Sequence, residues 1–386
     1  ARRQALPMVN VHARYLDQLE AEGWLSRELE ALPTDKQIAE RQSAGSGLRA
    51  PEFAVMIAYT KNADVAELLA SDLPDDPALE PDLFRYFPQA LRDRYPDAIR
   101  RHRLRRQIIA TKIVNQMVNL SGISYDHRMT EDTGASVVDV VRAWVAARDI
   151  LSFDRAWAEI DDLGRTIDLE TQLDLFLDAR RTAERCSLWL LRHRRPPLRI
   201  DEAVRTFRSG LDWLTDHLGA ALRGHMRESV ESTARERIAA GVPAELARRS
   251  AIWKLLHTGF DLVEIANSLD RPLEDVARAY WQIFDRLDLL WLWDGIGSLP
   301  RSDRWQTQAR SALRDDMLGV LEELTRTVMT EAGGSVDAWV EANERTVNRA
   351  LGMFTEIRRA ETYDLTNLSV ALRQLRNLGL TSVGES

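Results

Sequence analysis

Apolar side chains return every three or four positions along almost the whole chain, as at Val11, Tyr15, Leu16 and Leu19. Strict alternation bounded by turn residues, the mark of a half-buried strand, is nearly absent. The spacing predicts helices at 5–21, ending before Gly23, and at 35–43 behind a Thr34 cap. Pro51 suits the first turn of a helix running to about Ser71. LPDDPALEP (73–81) is dense in Pro and Asp and reads as a loop, with a short helix after it at 81–87. A helix starts at Pro96 and Asp97 and is stopped by Gly122. Further helices are expected at 136–150, 153–162, 168–193, 200–218, 220–240, 243–257, 261–269, 272–287, 304–332, 335–359 and 363–379. HRRPP (193–197) and EAGG (331–334) are the clearest joints. So much helix with so little strand signal predicts an all-α fold, a multi-helix array with no nucleotide-binding α/β domain.

Part of the array repeats. Asp139-Val140 and Arg142-Ala143-Trp144 resemble Asp275-Val276 and Arg278-Ala279-Tyr280, 136 positions later. The same offset pairs Leu151 with Leu287, Trp157 with Trp293, Ile160 with Ile296, Leu163 with Leu299, Arg165 with Arg301 and Leu177 with Leu313. Two copies of a helical hairpin unit are expected near 135–195 and 271–331. The chain then divides into an N-terminal helical segment, 1–131, and a helical repeat region, 132–386.

Composition narrows the class. The 386 residues are 45% hydrophobic and 29% charged, as in an ordinary globular protein. Net charge is −8, against the positive balance of a protein that lives by binding phosphates. One cysteine, Cys186, excludes a disulfide framework and fits a reducing compartment. No apolar run nears the roughly 18 residues that cross a bilayer. ARRQALPMVN has neither an initiating Met nor an apolar signal segment and reads as a cut inside a longer polypeptide. Only Lys36, Lys61, Lys112 and Lys254 are lysines among 52 basic side chains, which limits any lysine-dependent mechanism.

Little in the chain carries chemistry. Gly45-Ser46-Gly47-Leu48-Arg49-Ala50 fits G-x-G-x-x-A, but that fingerprint needs a strand before it, and DKQIAERQSA is a polar helix. A loop before the Pro51 helix is the better reading. The histidines make no H-x-x-x-H or E-x-x-H pair, and no G-x-S-x-G occurs. Cys186, beside Leu188, Trp189 and Leu190, reads as a core thiol. Acidic pairs such as Asp161-Asp162 read as solvated faces and ion pairs. Trp281, Trp291 and Trp293 read as interhelical packing.

The stretch IRRHRLRRQIIATKIVNQMVN (99–119) puts a basic block beside an apolar one. On a helical wheel Ile109, Ala110, Ile113, Val114, Met117, Val118 and Leu120 form a broad apolar arc. Thr111, Asn115 and Asn119 share the opposite arc with Lys112 and Gln116. A membrane-surface helix would keep its cations along one face, so this is a buried helix. Its arginines crown the N-terminal end, where the helix dipole disfavours cations, and local acids such as Asp93 and Asp97, or else an anion from another domain or subunit, are expected to compensate.

Three stretches carry a family resemblance: WLSRELEALPTDKQIAERQSAGSGL (24–48), APEFAVMIAYTKNADVAELLASDLPDDP (50–77) and LFRYFPQALRDRYPDAIRRHRLRRQIIATKIVNQMVNLSGISYDHRMTEDTGAS (83–136). In order and without gaps, they resemble the C-terminal part of the large, multidomain NAD-specific glutamate dehydrogenases of bacteria. The likeness continues beyond residue 160 with weaker motifs. It implies oxidative deamination of L-glutamate with NAD in the intact enzyme, a cytoplasmic homo-oligomer (a tetramer), and contacts with the enzyme's own catalytic and N-terminal domains. The family's catalytic lysines and nucleotide-binding glycines belong to the catalytic domain, so the resemblance assigns no catalytic, cofactor or metal residue here and implies that the piece alone is inactive. The well-matched blocks supply candidate interdomain or subunit contacts: Lys61, Asn62, Arg85, Tyr86, Arg101, His102, Arg105, Arg106, Asn115 and Asn119. The rival readings are a freestanding helical scaffold for a protein partner and a nucleic-acid binder acting through Arg100 to Arg106. The acidic balance and the lack of aromatic residues within that block oppose the second.

Overall fold

The computed structural model describes residues 9–164, 166–300, 303–359 and 363–380. Among them the chain is helical with no strand, as the spacing predicts. It divides into two compact units, residues 1–154 with 183–205, and residues 155–182 with 206–386.

The first unit begins with α1 (Val9–Ala21), α2 (Asp35–Ser43) and α3 (Ala50–Ala70). Gly23, at φ 77°, follows the end of α1. Thr34 and Gln37 cap α2 reciprocally, each side chain accepting from the other's backbone N–H. The Gly45–Ala50 stretch is the stop of α2 and the extended entry to α3. Arg41 clamps it by donating to both oxygens of Glu52 at 2.7 and 2.9 Å. With a helix before it and no strand, it makes no dinucleotide-binding turn. Single 3₁₀ turns at Leu73–Asp75 and Pro77–Leu79 occupy the loop, followed by α4 (Glu80–Tyr86), α5 (Gln89–Arg94) and α6 (Pro96–Arg100).

The expected helix from Pro96 to Gly122 is broken. The chain turns at 101–104 and restarts as α7 (Arg105–Ser121). Continuing the apolar stripe of Ile99 would bury His102, Arg103 and Arg106. Instead the His102 Nδ1 accepts the Leu104 N–H at 3.1 Å, a local bond that competes with the helix. Beyond the break Ile109, Ala110, Ile113, Val114 and Met117 are fully buried. This face of α7 packs along α3, with α4 and α9 (Val137–Ile150) beside it. Trp144 of α9 is fully buried and donates its indole N–H to Ser121 Oγ at 2.8 Å. Between α7 and α9 lies α8 (Tyr125–Thr133), a helix that the spacing did not announce.

Onward run α10 (Phe153–Asp162), α11 (Leu169–His193), α12 (Ile200–Ala221), α13 (Gly224–Ala239), α14 (Ala244–Ile252), α15 (Gly259–Leu269), α16 (Leu273–Arg286), α17 (Leu290–Ser298), α18 (Arg304–Glu331), α19 (Val336–Ala342), α20 (Glu344–Arg358) and α21 (Leu365–Leu380). In the second unit the long α18 packs against α16, α17 and α21, with Met317, Leu321, Leu324 and Val328 buried. Within α16 the Trp281 ring is tilted against Phe284 (5.4 Å), and Phe284 meets Trp293 of α17 edge to face (6.1 Å), the interhelical packing expected of Trp293. Close approach of α12 and α15 depends on two glycines. A Cβ on Gly210 would lie 2.4 Å from Val263 Cγ2, and one on Gly259 would lie 2.7 Å from Leu211 Cδ1.

The repeat offset has a local counterpart. Helix α9 spans 137–150 and α16 spans 273–286, and the residues two past their ends, Ser152 and Asp288, both take left-handed φ, 52° and 49°. The Arg165–Arg301 pair lies outside the described residues.

Candidate functional site

The polar face of α7 joins a network of charged and amide side chains from α4 and α9. The network starts from Asp82, which α4 places beneath α7 and which is 1% exposed in its side chain. Arg148 of α9, equally buried, donates to Asp82 Oδ1 and Oδ2 at 3.1 and 2.9 Å. Burial works against the guanidinium charge, but Asp82 and Asp149 more than offset it and raise its pKa. Arg148 also donates to Gln116 Oε1 at 2.9 Å and to Asp149 at 2.8 Å. Gln116 in turn donates to Asp154. Arg85 closes the ring, donating to Asp154 and, at 2.9 Å, to Asp82. Every member is at once paired and held, so α4, α7 and α9 are locked in register.

One cation is left outside this ring. Lys112 projects from the same face, half-buried, with no hydrogen bond or ion pair to any described residue. Burial lowers its pKa; Asp82 and Asp154 pull it up while Arg85 and Arg148 push it down. Beside it opens a cavity of about 520 Å³, with Tyr86, Leu104 and Ile108 as its apolar wall. Gln107, Thr111, Asn115 and Gln116 line the polar side. A turn further along, Lys61 of α3 donates to Asn119 Oδ1 at 2.8 Å, and burial lowers its pKa too.

The basic block before α7 is mostly tied down by acids other than those expected. Arg100 pairs with Glu80 at 2.9 Å as well as with the anticipated Asp97 at 3.1 Å, and lies over the Phe84 ring. Arg106 pairs with Asp75 and donates to the carbonyl oxygens of Leu69 and Ser71 at 2.8 and 2.7 Å, which stops the C-terminal end of α3. Arg105 is 3.7 Å from Asp75. Asp93 instead accepts from Gln89 at 2.6 Å. Arg101 and Arg103 are exposed and pair with no described residue.

The candidate contact residues therefore fall into five groups. Arg85 belongs to the buried ring, and Arg105 and Arg106 to the Asp75 anchor. Tyr86 and Asn115 line the cavity, while Lys61 and Asn119 hold each other beyond it. Asn62, Arg101 and His102 stand apart from the cavity lining. Sequence reasoning put Lys112 and Gln116 on the right arc of α7 without singling them out. It missed Asp82, Arg142, Arg148 and Asp154, whose partners are distant in sequence; Arg142 binds Asp72 at 2.6 Å and Asp76 at 3.1 Å.

A second polar cluster is enclosed in the same unit. Asp64 of α3 and Asp126 of α8 face each other, both buried, and the Tyr15 hydroxyl donates to Asp126 Oδ2 at 3.1 Å. Burial raises both carboxyl pKa values, and the charges of Asp126 and Glu67 raise that of Asp64 further. These acids depart from the expectation of solvated faces. Cys186 is buried as expected, its thiol pKa pushed up by desolvation. Among the described residues there is no group of three or more metal-binding side chains, and no helix is long and apolar enough to cross a membrane.

The family model for the C-terminal region of glutamate dehydrogenase matches residues 45–377. The chain belongs to that family. It is similar to the NAD-specific glutamate dehydrogenase of Mycobacterium tuberculosis, with 38% identity over 99% of this chain and 24% of that protein. The enzyme of the same description from Pseudomonas aeruginosa is 35% identical over 99% of this chain and 24% of its own length. That of Halomonas elongata is 32% identical over 96% and 23%. The chain thus spans about a quarter of the curated relatives it matches.

Proposed function

We propose that this chain is the helical, non-catalytic C-terminal domain of a large NAD-dependent glutamate dehydrogenase. The intact enzyme converts L-glutamate, NAD⁺ and water to 2-oxoglutarate, ammonium, NADH and a proton. The domain serves assembly of a homo-oligomer, a cytoplasmic tetramer, support of the catalytic domain, or regulation. The observation that supports this reading most is the share of the relatives it covers. Nearly all of this chain aligns, yet about three-quarters of each relative lies outside the alignment.

Its contacts with the other domains are made by the outer face of α7 and its surroundings. Lys61, Asn62, Tyr86, Asn115 and Asn119 meet partner surfaces directly, as do Arg101 and His102 in the 101–104 turn. Arg85, Arg105 and Arg106 act from beneath by fixing that surface. NAD belongs to the catalytic domain.

Two assays test the reading. The 386-residue chain, mixed with NADH, 2-oxoglutarate and ammonium, is expected to leave NADH unoxidised, while the full-length protein oxidises it. Full-length protein carrying Arg101→Ala with Asn115→Ala is expected to lose activity or assembly, read by turnover and light scattering. Turnover by the chain alone would overturn the non-catalytic assignment. An unaffected double variant would remove α7 from the interdomain surface.

A further inference from the structure

We infer that the cavity beside Lys112 is a binding site for an organic carboxylate. The argument begins with what the neighbouring groups leave over. Arg85 and Arg148 are committed to Asp82, Asp149 and Asp154, and Gln116 spends its carbonyl oxygen on Arg148 and its amide on Asp154. The side chains of Lys112, Thr111, Asn115 and Gln107 make no hydrogen bond to any described residue, yet all four line the same cavity.

Their spacing puts them together by design of the helix. Gln107, Thr111 and Asn115 are successive i, i+4 neighbours, and Lys112 is an i, i+3 neighbour of Asn115. They offer one ammonium, one hydroxyl and two amides. That is one positive charge with neutral donors around it, which suits a carboxylate with one negative charge. A phosphate dianion calls for more cationic or bidentate donors. Leu104 and Ile108 at the start of the same helix, with Tyr86 of α4 beside them, give an apolar surface for the rest of the acid. At about 520 Å³ the space falls within the range of small-molecule sites.

A carboxylate there also removes an electrostatic cost. Lys112 holds its charge partly desolvated, with Asp82 and Asp154 favouring it and Arg85 and Arg148 opposing it, and a bound anion adds the direct ion pair that none of these makes. The carboxylate has two possible sources, a free acid or an Asp or Glu side chain from outside these 386 residues. The site stands on this chain's own residues; only the second source rests on the proposed function.

Because the chain has four lysines, each ε-carbon gives its own signal in NMR of lysine-labelled protein. Butyrate is expected to move the Lys112 signal saturably and to raise its pKa, leaving Lys36, Lys61 and Lys254 in place. Butyramide and inorganic phosphate are expected to do neither. Asn115→Ala, read on the same Lys112 signal, is expected to weaken butyrate about tenfold, as loss of one hydrogen bond to a charged group does. Zero-length carbodiimide coupling of the full-length protein separates the sources. A Lys112 amide with an acidic residue outside the chain, and no response of Lys112 to butyrate there, identifies an internal side chain. No such amide and a retained response identify a free acid. The site is refuted if butyramide or phosphate matches butyrate. It is equally refuted if Lys112 ignores butyrate in the chain and forms no amide in the full-length protein.

Discussion

The carboxyl groups of Asp64 and Asp126 share the interior of the first unit, and the Tyr15 hydroxyl supplies the donor that only Asp126 receives. Asp64 Oδ2 has no hydrogen-bond partner, so Asp64 is the natural holder of the pair's proton and Asp126 the natural anion. Burial raises Asp126 to about 6 and Asp64 well above the usual Asp value of 3.8. Two like charges enclosed this closely do not both ionise.

The pair makes stability fall as pH rises. The folded state binds these protons more tightly than the unfolded chain does, so stability decreases wherever the folded state carries the extra proton. The contribution is full below the ordinary Asp pKa of 3.8 and is lost through about 6 for Asp126 and beyond for Asp64. Asp64→Asn keeps a donor toward Asp126 and removes the need to share a proton. Its melting temperature is expected to lose much of the decline between about pH 5 and pH 8. An unchanged slope in thermal scans across that range would remove the shared proton as its source.

Breaking the buried ring from one side costs more than any surface change. Asp82→Asn leaves Arg148 enclosed without its main counter-charge. A loss of about 3–5 kcal/mol in denaturant unfolding is expected, the usual result of orphaning a buried charge. A loss below about 1 kcal/mol, the scale of an exposed pair, would mean that water reaches Arg148.

Gly210 tests the packing of α12 on α15. Gly210→Ala sets a methyl group into Val263, and a destabilisation of about 1–3 kcal/mol is expected from the overpacking. Gly219 has nothing within 4 Å of its Cβ position. Gly219→Ala is therefore expected to stabilise by about 0.5–1 kcal/mol, as Ala does over Gly inside a helix. A midpoint for Gly210→Ala that holds or rises would contradict the close approach.

A gain is available at Ala31. It stands at φ 52°, with Leu32 N–H bonded to Arg27 O at 2.9 Å and Ala31 N–H to Glu28 O at 3.3 Å. This is a Schellman closure with alanine where glycine belongs. Ala31→Gly is expected to stabilise by about 0.5–1 kcal/mol, since the left-handed strain exceeds the entropy that glycine adds. A drop in the urea midpoint would show that the turn does not keep this conformation.

The fold class and most helix bounds were legible because long amphipathic helices write their period into the sequence. The helix at 35–43 was placed to the residue behind the Thr34 cap, and Gly122 marked the end of α7. Helix α8 was not legible. Tyr, Asp, His and Thr are weak helix formers, and YDHRMTEDT folds because Tyr125, Asp126, His127 and Met129 are buried. LWLWDGIGS of α17 is too uniformly apolar and glycine-rich to show a face. The site was half legible for the same reason. One helix face can be drawn from spacing, so the arc of Thr111, Lys112, Asn115 and Asn119 emerged. Asp82 and Arg148 are 66 residues apart, and no local pattern joins them.

The break at 101–104 has a further consequence, for proteolysis. Regular helix cannot enter a protease cleft, and most arginines here lie in helices or in ion pairs. Arg101 and Arg103 lie in a turn, exposed and unpaired with any described residue. Trypsin should nick the native chain there first. The nicked halves should stay together, because Arg106 still grips the end of α3 and the interior of α7 remains buried. The turn is thus a natural place to sever the backbone without dismantling the domain.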